Sequence, residues 1–494
     1  MPKLLGFTLL GALIPGLGLI VGGRRRIGAF VLTLFLGLVG LGVYVGLTRR
    51  DEVLAAAVVP SRLLMTSVVI GALACCWIVV IVASHRSLRP ATGGAGGRAF
   101  GATFVGLLCF AVAAPAAIGV QSVLAQRSLV QDVFQAQGES RSATRPSTVN
   151  VKDPWEDKPR LNLLLLGGDD APSREGVRTD TVIVASIDTK TGNTALVSLP
   201  RNLTFMPFPA DSPLRKYYPN GFGKEGLSLD GRLEWMLTAM YQNVPDAHPG
   251  ILGPSDNEGA DVVKQSVGEA IGLKLDYYLQ VNLQSFPEIV DALGGIRVNV
   301  NERVAMGGVS SSHIPPKEWI EPGPNQHLDG RHALWFARGR YGADDDQRQV
   351  RQRCVIKSIV DAGDPQTLVT KYKAIARAGK HLLRTDIPQE LLPAMVQLAL
   401  KVKSGTVSNV TLDSDKLRLK YLHPDYQALR DTVENALESA PPPTPATPPA
   451  KPGTTPTEPG TTRKPPTTTT TAPPGPTQNL ADACAYNPNG DQPN

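Results

Sequence analysis

Apolar residues are unevenly spread along this chain. They crowd into four runs near its start: Leu4–Val21, Ile27–Leu47, Leu63–Ala83 and Ala99–Val120. Each approaches the roughly 20 residues that a helix needs to cross a bilayer. Arginines end the first two runs, at Arg24–Arg26 and Arg49–Arg50, and Arg86 follows the third. Pro15 and several glycines make the first run the weakest. A signal peptide would leave one such run and a cleavage site; here three more runs follow and no clean site is visible. Residues 1–126 are therefore expected to form a transmembrane region of about four helices, and Gln121–Gln137 reads as a helical exit from it. With four spans both ends share a side. The loops Arg24–Arg26 and His85–Arg98 carry Arg24, Arg25, Arg26, Arg86, Arg89 and Arg98, whereas the loop between them offsets Arg49, Arg50 and Arg62 with Asp51 and Glu52. The positive-inside rule then leans toward a multi-pass membrane protein whose C-terminal domain is extracytoplasmic, and three spans are expected to reverse the side.

After a polar, proline-punctuated linker (127–158) the periodicity changes. Leu161–Gly168 is a continuous apolar run suited to a strand buried on both faces. Thr179–Asp188 and Thr194–Arg201 read as two more strands, and Thr189–Asn193 supplies turn chemistry for a hairpin. Leu233–Asn243 and Ala260–Gly272 carry helical spacing, the second with a glycine stop. Asp276–Asn282 reads as a strand, Ser285–Gly295 as a helix and Ile296–Asn301 as a strand. This interleaving predicts an α/β fold, a mixed central sheet flanked by helices, over residues 159–440. From Pro441 to Asn479 there is no Leu, Ile, Val or aromatic residue, so 441–479 is expected to be a disordered Pro/Thr-rich linker. Residues 480–494 form a short tail.

A net charge of +6 and a pI near 9.0 are only mildly basic. No nucleic-acid motif or basic stripe accompanies them, so a nucleic-acid partner is not expected. Charge is concentrated instead in Trp335–Cys354, which holds Arg338, Arg340, Arg348, Arg351 and Arg353 and no lysine. Arginine forks grip carboxylate and phosphate in a bidentate way that lysine cannot. A solvated charged helix is the alternative. On helical spacing, however, Arg348, Gln352, Val355 and Ile359 share one face, which turns Arg348 and Gln352 toward the body of the protein. A second cluster, Gly167–Thr181, places Asp169 and Asp170 after a buried strand and Asp180 at the start of the next. Such turns are often only turns. Carboxylates without nearby histidine or cysteine also suit a hard cation such as Mg²⁺ bridged to phosphate. Cys75, Cys76 and Cys109 lie in apolar runs, which leaves Cys354 and Cys484 as the soluble pair. They are either two free thiols or one extracytoplasmic disulfide, and a Cys354–Cys484 disulfide pinning the tail near the Arg348 helix is the expectation.

Four blocks together resemble the LytR–CpsA–Psr family of bacterial cell-envelope glycopolymer transferases. They are "LLLGGDDAPSREGVRTDTVIVASID", "VSLPRN", "DYYLQVNLQSFPEIVDALGGIRVNV" and "HLDGRHALWFARGRYGADDDQRQVRQRCVI", in the family's order. The resemblance implies a phosphotransferase that moves a glycopolymer from a polyprenyl-pyrophosphate carrier to peptidoglycan. It nominates Asp169 and Asp180 for the metal and pyrophosphate region. Arg178, Arg201, Arg338, Arg340 and Arg348 would hold phosphate oxygens, with Gln352 as a polar neighbour. Asp180 is also the candidate to take the acceptor's proton. Two positions depart from the pattern: Thr179 stands for a serine, and Asn202 for an aspartate that would orient Arg201. The same residues would serve a pyrophosphatase that splits the lipid-linked glycan with water. A non-enzymatic envelope tether would have no use for an inward-facing Arg348.

Overall fold

The computed structural model describes residues 2–88, 95–136, 138–139, 141–146, 150–151, 153–169, 178–282, 286–308, 313–343, 345–363, 383–419, 422–438 and 477–487. The described chain divides into two units, one formed by the N-terminal region through Glu139 with Ile387–Gln397, the other by the remainder.

The first unit begins with two short helices, α1 (Pro2–Leu13) and α2 (Leu17–Val21). The single first span expected from the apolar pattern is thus corrected. Pro15 has no N–H to continue a helix, and Gly16 turns the chain at φ 102°, a region that favours glycine. Three helices then follow that are long and apolar enough to cross a membrane: α3 (Arg25–Thr48) and, after the short α4 (Arg50–Ala56), α5 (Pro60–Leu88) and the Arg98–Val133 portion of α6 (Ala95–Val133). The described residues therefore contain three such helices rather than four. Small residues let the short pair pack closely: a Cβ on Gly18 would lie 2.7 Å from the Ser84 side chain of α5, and one on Gly11 would lie 2.9 Å from Gly18. Trp77 Nε1 donates to the Ala12 carbonyl across 2.9 Å, which satisfies an α1 C-terminal acceptor.

The second unit is built on a mixed sheet, as the alternation of strand and helix signals predicts. Its strands are β1 (Arg160–Asp169), β2 (Arg178–Asp188), β3 (Thr194–Leu199), β4 (Tyr277–Asn282), β9 (Leu383–Thr385), β10 (Val407–Val410) and β11 (Thr477–Asn479), in the order β11-β10-β3-β2-β1-β4-β9. β1, β2 and β3 run antiparallel; β4 is parallel to β1, and β10 to β3. The period of two sorts the apolar side chains. Leu164, Leu166, Val182, Val184, Val197 and Leu199 face a core closed by α8 (Leu237–Ala247), which follows the one-turn α7 (Leu229–Arg232), by α9 (Glu258–Ile271) and by the helix Tyr426–Glu438. Ile183, Ala185 and Leu196 face the other way, against Ile356 and Leu480. Between β4 and β9 come α10 (Phe286–Leu293) and a smaller layer of β5 (Ile296–Val300), β6 (Val304–Met306), β7 (Glu318–Ile320) and β8 (Gly323–Leu328). Then follow α11 (Gly330–Arg338) and α12 (Asp345–Ala362). Ile296–Asn301 is a strand as expected, but it pairs with β8 outside the main sheet.

The chain's end is built into this unit. Composition assigns Thr477–Asn479 to the expected disordered 441–479 linker; instead it pairs with β10 as an edge strand. Edge pairing needs only backbone N–H and C=O groups, so the absence of apolar side chains is no obstacle. Leu480 is fully buried behind it. Cys484 is bonded to Cys354 of α12, with Cα atoms 5.7 Å apart. Asn299 Nδ2 donates to the Cys484 carbonyl at 2.9 Å.

Candidate active site

The site gathers at one end of β1, β2 and β3. At that end the β1–β2 register slips: Gly167 faces Thr181 and Gly168 faces Thr179, so Asp180 is the extra residue of a bulge. A bulge bends its strand and re-aims a side chain. Asp180 is aimed at Arg201, which follows β3, and the two side chains form a hydrogen-bonded ion pair. Burial pushes the Asp180 carboxyl up, but the Arg201 charge and hydrogen bond outweigh it. With Arg340 and Arg348 also contributing positive potential, the group is held below the ordinary carboxylate range. Asp180 thus lies in the field of three arginines, one following β3 and two from a later stretch of the chain.

Arg340 lies in the turn between α11 and α12, and Arg348 in the first turn of α12. Asp329 caps α11 by accepting from the His332 N–H at 2.8 Å. The chain then passes tightly against β6: a Cβ on Gly339 would lie 2.7 Å from the Ala305 carbonyl. Arg351 donates to the Gly339 carbonyl at 2.6 Å, tying α12 back to the turn. Ser358 Oγ does the same to β5 by donating to the Arg297 carbonyl at 2.8 Å. Arg348 is 3% exposed and Val355 of the same face is buried, as the helical spacing predicts; Gln352 is half-buried one turn on.

The other nominated residues are placed differently. Arg178 bonds Glu234 at 2.5 Å. Glu234 also accepts from Asn243 and from that arginine, in this order of influence, and these bonds hold its carboxyl below the ordinary range. Arg338 lies over the Trp335 ring, 5.3 Å from its centroid. Asp169 ends β1 opposite Arg178; its side chain and all of Asp170 lie outside the described residues. The aspartate replaced by Asn202 is not what orients Arg201 here, because Asp180 does so and Asn202 is exposed.

Glu234 went unnoticed in the sequence. Leu233–Asn243 looked like one helix, but Met236 is extended (φ −98°, ψ 161°), so Leu233–Trp235 forms a separate 3₁₀ turn. The turn reaches the site through the Glu234–Arg178 pair, and α8 after it is tied there by the Thr238 N–H, which donates to the Arg201 carbonyl at 2.9 Å. Among the described residues, the hydroxyls of Thr179, Ser198 and Thr238 are buried without a hydrogen-bond partner. Each is within three residues of Asp180 or Arg201, or bonds Arg201. No group of three His, Cys, Asp or Glu converges among the described residues.

The chain matches the model described as "LytR_cpsA_psr family" over residues 127–437. A "Polyisoprenyl-teichoic acid--peptidoglycan teichoic acid transferase TagU" of Bacillus subtilis (strain 168) is 26% identical over 322 residues, covering 63% of this chain and 86% of the relative. The protein of the same name from Enterococcus faecalis (strain ATCC 700802 / V583) is 28% identical over 271 residues, covering 54% and 71%. Of solved structures, one titled "Crystal structure of B. subtilis TagV" is 20% identical with a TM-score of 0.38, covering 57% of this chain and 99% of that one.

Proposed function

The chain belongs to the LytR–CpsA–Psr family, and on that premise we propose that it is a membrane-anchored glycopolymer phosphotransferase. In this reading it moves a glycopolymer from a polyprenyl-pyrophosphate carrier onto a hydroxyl of peptidoglycan. The names of its relatives support the reaction class. The observation that carries the reading is the convergence of Arg201, Arg340 and Arg348 on one ionised carboxylate. A pyrophosphate brings several negative charges, and arginines already oriented toward that point would bind them without reorganising.

In the proposed reaction the acceptor oxygen bonds to the glycan-side phosphorus as the bridging P–O bond breaks. The hydroxyl proton passes to water, and polyprenyl phosphate leaves. Such transfers depend on positioning and charge stabilisation more than on covalent help. The Asp180 carboxylate is already paired with Arg201, so we assign it to orienting Arg201 and holding charge rather than to general base catalysis. Arg348, which is buried, would fix one phosphate, and exposed Arg340 would follow the charge as it moves to the leaving oxygen. Arg178 and Arg338, held by Glu234 and Trp335, would act at the rim. Gln352 would donate a neutral hydrogen bond.

We also propose Mg²⁺ as cofactor. Ionised Asp180, with Asp169 at the facing end of β1, offers the hard oxygen donors it prefers. A site with so few carboxylates fits a cation whose other ligands are water and substrate phosphate. When bound, the metal would neutralise phosphate oxygens.

The proposed location is the outer face of the membrane. Three crossings by α3, α5 and α6 leave Arg24–Arg26 and the loop before α6 on one side and the α/β unit on the other. The positive-inside lean toward an extracytoplasmic domain is therefore kept with three spans, contrary to the reversal expected from the count alone. The test is a transfer assay of full-length Arg201→Lys and Arg348→Lys. Lysine keeps the charge and loses the fork, and transfer should fall about a hundredfold or more. Parental rates in both folded variants would refute the site.

A further inference from the structure

Burial holds Arg348, but Arg340 is exposed, so its aim depends on the backbone it leaves from. That backbone is a tight turn. The Ala343 N–H donates to the Arg340 carbonyl at 3.1 Å, and Gly342, the third of the four residues, has φ 75°. A positive φ at the third position and not at the second is the pattern of a type II turn. On the α11 side the turn is fixed by Gly339, which lies against the Ala305 carbonyl of β6 and is held by Arg351. The second residue of the turn, Tyr341, follows Arg340 directly in the chain. Its half-buried ring stands edge-on to Trp319 of β7, at 6.2 Å between centroids and 84° between planes. Its other neighbour is Gly308, just after β6: a Cβ there would lie 2.9 Å from Tyr341 Cδ2, so glycine leaves room for the ring. The support is itself anchored. Trp319 pairs with Ala305 across β6 and β7, and the Arg303 guanidinium stacks on its ring at 3.9 Å. Val304, Met306 and Ile320 of the same strand pair are buried against Phe336 of α11.

We propose that Tyr341 is a positioning residue of the phosphate site: its ring, seated between Trp319 and Gly308, sets the direction in which Arg340 leaves the turn. The proposal rests on the transferase reading and adds to it a residue that itself touches no phosphate. Three observations favour aiming over mere packing. Arg340 and Tyr341 share one peptide plane, so a ring that fixes the Tyr341 backbone also fixes the origin of the Arg340 side chain. An edge-to-face ring pair is directional, and it constrains the angle of the ring as well as filling space. Tyr341 also lies outside the apolar cluster that joins β6, β7 and α11, so truncating it leaves that cluster closed. Arg340 adds positive potential at Asp180, which places its charge at the site that the turn would aim it into. Without the ring, Arg340 keeps its charge but must be ordered each time a phosphate binds, and that ordering costs affinity.

The experiment is a double-mutant cycle on full-length protein in detergent, read by calorimetric binding of inorganic pyrophosphate with Mg²⁺. Arg340→Ala should weaken binding about tenfold, through loss of a charge-assisted contact. Tyr341→Ala should weaken it about fivefold while Arg340 is present. In the Arg340→Ala background, Tyr341→Ala should change affinity by less than about twofold, because no arginine is left to aim. Tyr341→Phe keeps the ring and should bind within about twofold of the parent. Trp319→Leu removes the ring contact without touching the turn, and should repeat the loss of about fivefold with the same dependence on Arg340. Losses that multiply in the double variant overturn the proposal, since the ring then acts on the fold and not through Arg340. Parental affinity in both Tyr341→Ala and Trp319→Leu, beside a loss in Arg340→Ala, also overturns it and leaves the phosphate site standing. A parent that binds no pyrophosphate, or an Arg340→Ala variant that binds as the parent does, removes the Arg340 site and the role of Tyr341 with it.

Discussion

Replacing Cys484 by Ser cuts the covalent link between the chain's end and α12. Cys354 and Cys484 are 130 residues apart in sequence, so the bond closes a long loop in the unfolded chain. In the chain-entropy account, losing a closure of this length costs about 5 kcal/mol. That is an upper value, because the tail has other anchors that persist in the folded variant. Thr477–Asn479 stays paired with β10, Leu480 stays buried, and Asn301 still donates to the Ala485 carbonyl at 3.1 Å. These anchors keep the native state of Cys484→Ser close to the parent's, so the loss acts mainly through the unfolded state. For a unit the size of Arg160–Glu438, a melting entropy of about 2.1 cal/mol/K per residue converts it to roughly 8 °C of melting temperature. The assay is thermal unfolding of full-length parent, Cys484→Ser and Cys354→Ser, with the oxidation state checked by mass. Each single variant and the double should fall by the same amount, since they lose one bond. A melting temperature within about 1 °C of the oxidised parent would refute the reasoning, as would single variants that differ widely.

Lys264 is buried and forms an ion pair with Asp386, while Ser142 Oγ lies 2.8 Å from Asp261 and 3.0 Å from Asp386. Lys264→Met leaves two buried carboxylates without their cation and should cost about 3–5 kcal/mol in urea unfolding; a cost below about 1 kcal/mol would contradict this account of the cluster. The Asp180 carboxyl is lower in the folded chain than in the unfolded one, so its stabilising contribution is complete above the ordinary aspartate value of about 3.9 and is lost as pH falls through the folded value. The parent's urea midpoint should therefore drop more steeply than that of Asp180→Asn as pH falls below about 4, and parallel curves would speak against the pairing. Chelation of divalent cations should abolish transfer and Mg²⁺ should restore it, with Asp180→Asn needing more metal; full activity in excess chelator would remove the cofactor from the account.

The core of the fold was legible because its strands are buried on both faces. Leu161–Gly168 and Thr179–Asp188 carry so many apolar residues that no other element suits them, and Gly272 stops α9 at φ 73° as a C-terminal glycine should. The short strands β9, β10 and β11 at the two ends of the sheet were not legible. They are three or four residues long and are held by backbone bonds that any sequence can make. Arg348 could be placed inward because Val355 and Ile359 mark its face. The pairing of Arg201 with Asp180 could not, since it depends on a one-residue slip between β1 and β2. Lys264 reads as the polar face of an amphipathic helix; its partner Asp386 is 122 residues away, which periodicity cannot see.

The most direct test of the central claim supplies the full-length protein with a polyprenyl-pyrophosphate-linked glycopolymer, Mg²⁺ and peptidoglycan, then analyses the wall fraction by mass spectrometry and ³¹P NMR. The account predicts a phosphodiester joining the glycan to a peptidoglycan sugar, formed in step with polyprenyl phosphate and absent with Arg348→Lys. Release of free glycan phosphate at the same rate with and without peptidoglycan, and no such phosphodiester in the wall, would contradict it and identify a hydrolase.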